Sequence, residues 1–491
     1  MKLCNVGHDF HYEIEKLIRL YLPFEKIENT DDENKEERKA ICVMERKENG
    51  AFLKSSLFLN GKSSYHNEYF EESDKNFKRD CEIILAKNLY YCFADITNYC
   101  PEWGILTGIR PARLFSKEVA ELGLKNAKKH FADNFKVSDN KISLCEKTYI
   151  SEEKIVSLSY PESFSLYISI PFCPSRCSYC SFVSHSVDKA FDMIPEYVDY
   201  LCLEMEKTAL IAKRLNLRLE TVYMGGGTPT TLSSEQLKKV FSKLHECFDM
   251  SNIKEFTVEA GRPDTITKEK LQVIKAAAAT RISINPQTLN NDVLQLIGRK
   301  HTAKQAEDSY FLAREIGFNN INMDLIAGLP GDTFESFVGT VEGVIALSPE
   351  SVTVHSLSMK RASFLTKNGE FPEIDMGKQA SKMVDYARMR FEDCRIMPYY
   401  MYRQSKTVGN LENVGYAKRG YEGLYNVYIM DETHTILACG ASAVTKLKEP
   451  NGEYIERIFN FKYPYEYINR FDEQLERKKA ILDFYEKYTI D

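Results

Sequence analysis

The 491-residue sequence has one tryptophan, no large excess of either charge sign and no apolar run long enough to cross a membrane. A formal net charge of −6 gives no reason to expect nucleic acid or an anionic membrane surface as a partner. The first residues, Met-Lys-Leu-Cys-Asn-Val-Gly-His-Asp, lack the apolar core of a signal peptide. We therefore expect a cytoplasmic globular protein of two or three domains, without a nucleic-acid or membrane partner.

Thirteen cysteines, an odd number without a secretion signal, predict reduced thiols rather than a disulfide framework. Three of them, Cys173, Cys177 and Cys180, lie close together with the spacing C-x3-C-x2-C. Soft thiolates are the ligands of iron–sulfur clusters, and three of them in one loop can bind a 4Fe-4S cluster while leaving one iron open. The alternatives are a zinc site that includes His185, or three unrelated buried thiols.

The chain is predicted to have three regions. Residues 1–160 form an N-terminal α+β domain, and residues 376–491 form a C-terminal α+β extension. Between them, in 161–375, short apolar strands alternate with amphipathic helices. Repeated strand–helix units indicate a parallel sheet with right-handed crossovers, here an α/β fold of the partial (β/α)6 barrel type. The six predicted strands are 166–170, 221–224, 255–259, 281–284, 320–324 and 351–354.

Outside the barrel, the sequence predicts several local elements. Residues 40–44 and 51–59 read as two strands of a hairpin, and 78–94 has apolar residues at helical spacing. In the C-terminal extension, apolar residues predict strands over 425–430 and 435–438.

Polar residues follow every predicted strand of the barrel, at the end where such folds place their chemistry. A carboxylate inside an apolar strand, such as Asp324, needs a partner. Glycines such as Gly226 bring the backbone close to whatever lies opposite. In strand order, the candidates are the three cysteines, then Gly225–Gly227 with Thr228, then Glu259, Gln287, Asp324, and finally His355 with Ser356.

Five motifs between Ser165 and Leu357 resemble the coproporphyrinogen dehydrogenase family of radical S-adenosylmethionine (SAM) enzymes, also called oxygen-independent coproporphyrinogen III oxidases. They are Tyr-x-x-Ile-Pro-Phe-Cys, Gly-Gly-Gly-Thr-Pro-Thr, Val-Glu-Ala, Arg-Ile-Ser-x-x-x-Gln and Asp-Leu-Ile-x-Gly-Leu-Pro. Two further segments resemble its HemZ-like subgroup: Trp-Gly-Ile-Leu-Thr-Gly-Ile-Arg-Pro from Trp103, and Gly-Asn-Leu-Glu-Asn-Val-Gly-Tyr-Ala from Gly409.

The resemblance implies a radical SAM barrel and the oxidative decarboxylation of coproporphyrinogen III propionates to vinyl groups in heme biosynthesis. It implies that the three cysteines hold a 4Fe-4S cluster, that one or two SAM molecules bind, and that catalysis needs no residue beyond these cofactors. A tetrapyrrole substrate and an external electron donor or acceptor, such as flavodoxin or ferredoxin, follow from the same resemblance. The implied SAM-binding residues are Tyr167, Tyr179, Gly226, Gly227, Thr228, Glu259, Gln287, Arg299, Asp324 and Ser356.

Two departures from the family keep other functions open. Phe182 stands where the best-studied branch has a further cysteine, and the His-Asn-x-x-Tyr-Trp element of the heme chaperones is absent from the sequence. The alternatives are a radical SAM enzyme acting on another tetrapyrrole, such as a heme-opening methyltransferase, and a cluster-containing heme-binding or trafficking protein.

Propionate recognition calls for cations, and arginine binds carboxylates bidentately. Outside the SAM set, the candidates are Arg110, Arg113, Arg361 and Arg403. An alternative role for Arg110 and Arg113 is to anchor the segment that begins at Trp103.

The cysteine spacing predicts that protein reconstituted without oxygen binds about four irons and shows the absorption of an iron–sulfur cluster. Replacing one ligand, as in Cys177→Ala, should abolish this binding because two thiolates do not hold the cluster. Metal analysis of both proteins checks the prediction, and stoichiometric zinc without iron would contradict it.

Overall fold

The computed structural model describes residues 1–32, 34, 37–72, 76–180, 185–186, 191–358, 372–404 and 406–488. The chain divides into two compact units. The first contains Met1–Tyr149, Ser356–Val384 and Met401–Asn413, and the second contains Ile150–His355, Asp385–Tyr400 and Val414–Asp491. Buried contacts of Arg403 and Glu412 with the neighbourhood of Trp103 attach the segment Met401–Asn413 to the first unit. No helix in these described stretches is long and apolar enough to span a membrane.

The N-terminal region contains a five-stranded sheet with the strand order β2-β1-β3-β4-β5. β1 runs parallel to both of its neighbours, and the three later strands form an antiparallel meander. The predicted hairpin is confirmed, since Lys47 pairs with Gly50 at its turn. The strands are β1 (Lys2–Val6), β2 (Glu28–Asn29), β3 (Arg38–Lys47), β4 (Gly50–Leu59) and β5 (Lys62–Glu71).

One face of this sheet is covered by the helix predicted over 78–94. Inward-facing residues alternate with partly exposed ones along β4, as expected for a strand with one buried face. The buried Ser55 hydroxyl donates to the Leu85 carbonyl, which ties the sheet to that helix. The helices of the region are α1 (His11–Tyr21), α2 (Phe77–Thr97), α3 (Pro111–Leu122), α4 (Leu124–Asp133) and α5 (Asp139–Val156).

The later part of the chain forms a second, eleven-stranded sheet. Its strands are β6 (Ser163–Ile170), β9 (Arg218–Gly226), β10 (Glu255–Glu259), β11 (Arg281–Ser283), β12 (Ile321–Ala327), β13 (Ser351–Ser356), β14 (Met397–Arg403), β15 (Glu412–Ala417), β16 (Thr435–Cys439), β17 (Val444–Lys448) and β18 (Ile455–Phe459). A separate short pair is β7 (Phe172–Cys173) and β8 (His185–Ser186).

The six strands predicted for the barrel are neighbours in the sheet in their chain order, β6-β9-β10-β11-β12-β13. The pairs from β6 to β12 are parallel. This order is that of a singly wound (β/α) unit, so the predicted six-stranded fold is confirmed. Parallel β16 and antiparallel β17 and β18 extend one edge, while β15 and β14 extend the other.

The helices follow the strands as the sequence predicts. Ser233 and Gln236 form a capping box at the start of the helix after β9. The helices are α6 (Ile194–Arg214), α7 (Ser234–Cys247), α8 (Lys268–Ala276), α9 (Asn291–Leu296), α10 (Ala303–Ile316), α11 (Phe334–Leu347), α12 (Pro372–Asp393), α13 (Leu424–Asp431), α14 (Pro464–Asn469), α15 (Phe471–Arg477) and α16 (Lys479–Glu486).

The strand predicted over 425–430 is wrong, because these residues form helix α13. Its start is stabilised by a carboxylate far away in sequence: Glu255 accepts the backbone N–H groups of Leu424 and Tyr425 at 2.8 and 3.2 Å. A helix N-terminus leaves such groups without intrahelical partners, and an anion there is favourable. The strand predicted over 435–438 is confirmed as β16.

In the first unit, the segments from Trp103 and Gly409 meet at one buried carboxylate. Trp103 Nε1 donates to Glu412 Oε2 at 2.7 Å, and Lys141 Nζ lies 2.8 Å from Glu412 Oε1. Burial raises the pKa of Glu412, but the charge and hydrogen bonds of Lys141 and the Trp103 indole outweigh it and keep the pKa below its usual value. Glu412 is therefore the ionised centre that joins the two segments.

We expect Glu412→Ala to destabilise the first unit by about 3 kcal/mol, because it leaves a buried indole N–H without an acceptor and a buried Lys141 without its nearest anion. Trp103 is the only tryptophan, so its fluorescence during denaturant unfolding reports directly on this contact. The control is Glu121→Ala, at an exposed position of α3. Equal midpoints for the two variants would contradict the prediction.

Candidate active site

The three predicted cluster cysteines lie directly after β6, the first strand of the barrel. Cys173 ends β7, and the Cys180 N–H donates to the Cys177 carbonyl at 3.2 Å, so the chain turns between them. Cys177 is 9% exposed, while Cys173 and Cys180 are half-buried. This places three thiols on one short loop at the carboxyl end of the sheet.

In the described stretches, no group of three or more His, Cys, Asp and Glu residues is arranged to hold a metal ion. A 4Fe-4S cluster has a different requirement, because each thiolate binds its own iron. His185, the candidate zinc ligand, pairs through its backbone with Phe172. Phe182 lies outside the described residues.

The sulfurs of Cys173 and Cys177 each accept a hydrogen bond from a side chain of the barrel. Thr228 Oγ1 donates to Cys173 Sγ at 3.4 Å, and Arg262 Nη1 donates to Cys177 Sγ at 3.5 Å. Donors of this kind stabilise a thiolate, which is the form that binds iron. The donor set therefore fits an iron–sulfur cluster.

The glycine run at the end of β9 packs against the start of the cysteine loop. The Gly227 and Thr228 N–H groups donate to the carbonyls of Ile170 and Phe172, both at 2.7 Å. A Cβ at Gly227 would lie 2.6 Å from the Phe172 carbonyl oxygen, and Gly226 has a φ of +106°. Glycine is therefore required at 227 by the Phe172 carbonyl and at 226 by the positive φ, whether or not a ligand is bound.

Glu259, at the end of β10, accepts a hydrogen bond of 2.5 Å from the Tyr223 hydroxyl. Burial raises the pKa of Glu259 to about 7; the Tyr223 hydrogen bond opposes this shift, and the nearby charge of Asp324 adds to it. Glu259 is therefore partly protonated near neutral pH and can donate as well as accept.

Asp324, in β12, is the charged member of this carboxyl pair. Burial opposes its ionisation, but hydrogen bonds from His355, Asn322 and Thr353 outweigh the burial and lower its pKa. Asn322 Nδ2 lies 2.7 Å from Asp324 Oδ1, and His355 Nε2 lies 3.7 Å from Asp324 Oδ2. Two adjacent carboxyls with pKa values shifted in opposite directions can serve as donor and anion in one site.

Gln287 is held in a strained conformation beside Asp324. Its φ is +69°, and its N–H donates to the Asp324 carbonyl at 2.9 Å. The side chain is 6% exposed, and among the described residues its Oε1 has no hydrogen-bond partner. A buried acceptor without a partner, on a backbone that costs energy to hold, is typical of a ligand-binding position.

Three near-parallel tyrosine rings lie beside Glu259. The rings of Tyr223 and Tyr425 are 4.5 Å apart, and Tyr167 lies 6.2 Å from each of them. Tyr167 was predicted from the sequence. Tyr425 was missed because it belongs to the helix that had been predicted as a strand. The alternation of strand residues could have revealed Tyr223, since it shares a face with Gly225.

Tyr179 and Arg299, both predicted SAM residues, bind each other. Arg299 Nη2 and Nε donate to the Tyr179 hydroxyl at 3.0 and 3.2 Å, and Nη1 donates to the Gly261 carbonyl at 3.0 Å. Their contacts hold the cysteine loop to the segment that follows β10.

Ser356 belongs to the first unit, where its hydroxyl donates to the Glu412 carbonyl and its N–H donates to Asn413 Oδ1. The residue of β13 that reaches Asp324 is the preceding one, His355. Successive residues of a strand point to opposite faces of the sheet, so the side chains of His355 and Ser356 lie on different faces.

Of the four predicted substrate arginines, Arg403 is an anchor of its own unit. It is 3% exposed, donates to the carbonyls of Leu106, Gly108 and Asn410, and lies 5.4 Å from the Trp103 ring centroid. Burial lowers its pKa to about 10. Arg110 and Arg113 are half-buried at the start of α3, and Arg361 lies outside the described residues.

Residues 167–343 match the radical SAM superfamily. The chain is 37% identical over 441 residues, 87% of its length and 87% of the relative, to the oxygen-independent coproporphyrinogen-III oxidase-like protein HemZ of Bacillus subtilis (strain 168). The heme chaperone HemW of the same organism is 33% identical over 61% of this chain and 77% of its own. The solved structure of HemN, the Escherichia coli coproporphyrinogen III oxidase, gives a TM-score of 0.49 at 23% identity, covering 66% of this chain and 72% of that one.

The chain therefore belongs to the radical SAM superfamily and, within it, to the family of HemZ-like oxygen-independent coproporphyrinogen-III oxidase-like proteins. Its cofactors are those of the superfamily, a 4Fe-4S cluster and SAM.

The raised pKa of Glu259 predicts a specific dependence of stability on pH. From about pH 4.3 to about pH 7 the unfolded state ionises while folded Glu259 stays protonated, so this group lowers the free energy of unfolding as the pH rises. Glu259→Gln lacks this contribution. We therefore expect the free energy of unfolding of the wild type minus that of the variant to fall over this pH range and to level off above it. Urea unfolding followed by circular dichroism measures both free energies.

The matched control is Glu196→Gln, an exposed position of α6. Its difference from wild type should not vary between these pH values. A flat difference for Glu259→Gln as well would show that Glu259 ionises at its ordinary pKa.

Proposed function

We propose that this protein is a radical SAM oxidoreductase that converts propionates of coproporphyrinogen III to vinyl groups, yielding protoporphyrinogen IX. The observation that carries the proposal is the 37% identity, over 87% of both chains, to a protein named oxygen-independent coproporphyrinogen-III oxidase-like. The strand-end carboxyls and the cysteine loop support it, because they provide a site that suits SAM beside a site that suits a cluster.

In this proposal Cys173, Cys177 and Cys180 hold the cluster. The cluster and SAM, when bound, supply the one-electron chemistry that removes a hydrogen atom from the substrate. Ionised Asp324 would accept from the ammonium or ribose hydroxyls of SAM, and protonated Glu259 would donate. Gln287 Oε1 would accept a further N–H or O–H. The tyrosine rings beside Glu259 would exclude water from this polar group.

The proposed reaction conserves atoms and electrons at each propionate. One hydrogen atom leaves the carbon next to the ring, and carbon dioxide and one electron then leave together to form the vinyl group. The electron needs an external one-electron acceptor, and the cluster needs a low-potential donor, for which flavodoxin or ferredoxin suits. Arg110, Arg113 and Arg361 remain the proposed partners of the propionates, while the contacts of Arg403 favour an anchoring role.

A second candidate is a heme-binding or trafficking protein that retains the cluster. The 33% identity to the HemW heme chaperone over 77% of that protein favours it. Heme titration separates this candidate from the decarboxylase, because a chaperone binds heme stoichiometrically without consuming SAM.

Protein reconstituted anaerobically with coproporphyrinogen III, SAM and dithionite should release carbon dioxide and form vinyl products detectable by mass spectrometry. Asp324→Ala should bind SAM about tenfold more weakly, because it removes a charged hydrogen-bond acceptor, and should keep its iron. SAM cleavage in the wild type without decarboxylation would overturn the substrate assignment. Unchanged SAM affinity in Asp324→Ala would overturn the assigned site.

The control for Asp324→Ala is Asp472→Ala, which changes an exposed carboxylate in the first turn of α15. It should bind SAM as the wild type does. Because iron content is measured in every sample, a lost cluster is distinguished from a lost SAM contact.

A further inference from the structure

Arg262 is not among the site residues predicted from sequence, yet its guanidinium contacts the cysteine loop. It lies three residues after Glu259, in the segment that follows β10, and is 4% exposed. Nη1 donates to Cys177 Sγ at 3.5 Å and to the Ser175 carbonyl at 3.3 Å. Nη2 donates to Ser175 Oγ at 2.9 Å. A buried cation therefore faces one of the three cluster sulfurs.

The guanidinium is held in place by a carboxylate on the side away from the sulfur. Arg262 Nε lies 3.1 Å from Asp264 Oδ1, and Nη2 lies 3.3 Å from Asp264 Oδ2. This two-point contact fixes the plane of the guanidinium, as a forked arginine–carboxylate pair does. Nη1 is the nitrogen that Asp264 does not bind, and it is the one that reaches Cys177.

We propose that Arg262 is a positioning residue that sets the reduction potential of the cluster through its hydrogen bond to Cys177. When the cluster accepts one electron from a low-potential donor, its total negative charge increases by one. A nearby cation and an N–H donor to a ligand sulfur stabilise the more negative state. Arg262 therefore makes the cluster easier to reduce, and Asp264, a nearby anion, moderates the effect.

The opposite signs of these two residues give a test that a purely structural role would fail. Arg262→Gln keeps an amide donor for the loop but removes the charge, so the potential should become more negative. Asp264→Asn keeps the shape but removes the opposing anion, so the potential should become less negative. Arg262→Lys keeps the charge and should stay near the wild-type value.

The measurement is an anaerobic redox titration of the reconstituted protein without SAM or tetrapyrrole, followed by electron paramagnetic resonance of the reduced cluster. We expect the equilibrium constant for reduction to fall about tenfold in Arg262→Gln, equivalent to about 59 mV for one electron. Because no substrate is present, failure here is distinct from failure of the proposed decarboxylation.

The matched control is Arg470→Gln, which also breaks a two-point arginine–carboxylate contact, but at the surface. It should leave the potential unchanged. Full iron content with an unchanged potential in Arg262→Gln would overturn the proposal. If Arg262→Gln does not hold iron, Asp264→Asn decides: a less negative potential supports the proposal, and the wild-type value overturns it.

Discussion

The hydrogen bonds from Gly227 and Thr228 to the carbonyls of Ile170 and Phe172 determine where the cysteine loop begins. They join the ends of the first two barrel strands at a distance that no larger residue than glycine would allow at 227. The same contact fixes the backbone of Thr228, whose hydroxyl then reaches Cys173 Sγ. The glycine-rich motif thus has a structural role beside the cysteines, in addition to any contact with SAM.

Charged side chains of both signs lie around this contact. Arg262 and Arg299 bind the cysteine loop, where an iron–sulfur cluster with thiolate ligands is negative. At the strand ends, ionised Asp324 would complement the ammonium and sulfonium of SAM in the proposed site, while protonated Glu259 would donate to it. In the proposed assignment, the arginines would complement the charge of the cluster and Asp324 would complement that of SAM.

The strand order and the candidate residues at the strand ends could be predicted from sequence because they follow from local patterns. Parallel strands bring their carboxyl ends to one edge, and this rule alone selects Glu259, Gln287 and Asp324. The features that this rule does not predict depend on contacts between residues that are distant in sequence. Helix α13 is stabilised at its start by Glu255, so Tyr425 could not be placed beside Tyr223 from its own segment.

Three other features depend on structural details that a sequence pattern does not contain. His355 reaches Asp324, and Ser356 does not, because the two residues occupy opposite faces of the strand. A register shift of one residue would exchange their faces. The positive φ of Gln287 follows from its backbone pairing beside Asp324, which no sequence rule for glutamine predicts. Arg262 lies in the loop that follows β10. The rule that functional residues follow the strand ends selects this loop but not the individual residue.

The two segments that resemble the HemZ-like subgroup have a shared structural explanation. Trp103 and Glu412, one from each, form a buried hydrogen bond, and Arg403 donates to two carbonyls of the first segment. For Arg403 to bind a propionate, it would have to give up carbonyl contacts that are costly to leave unpaired in a buried site. The folding of the first unit therefore explains Trp103, Arg403 and Glu412. Likeness to the subgroup at these buried residues therefore indicates a shared architecture.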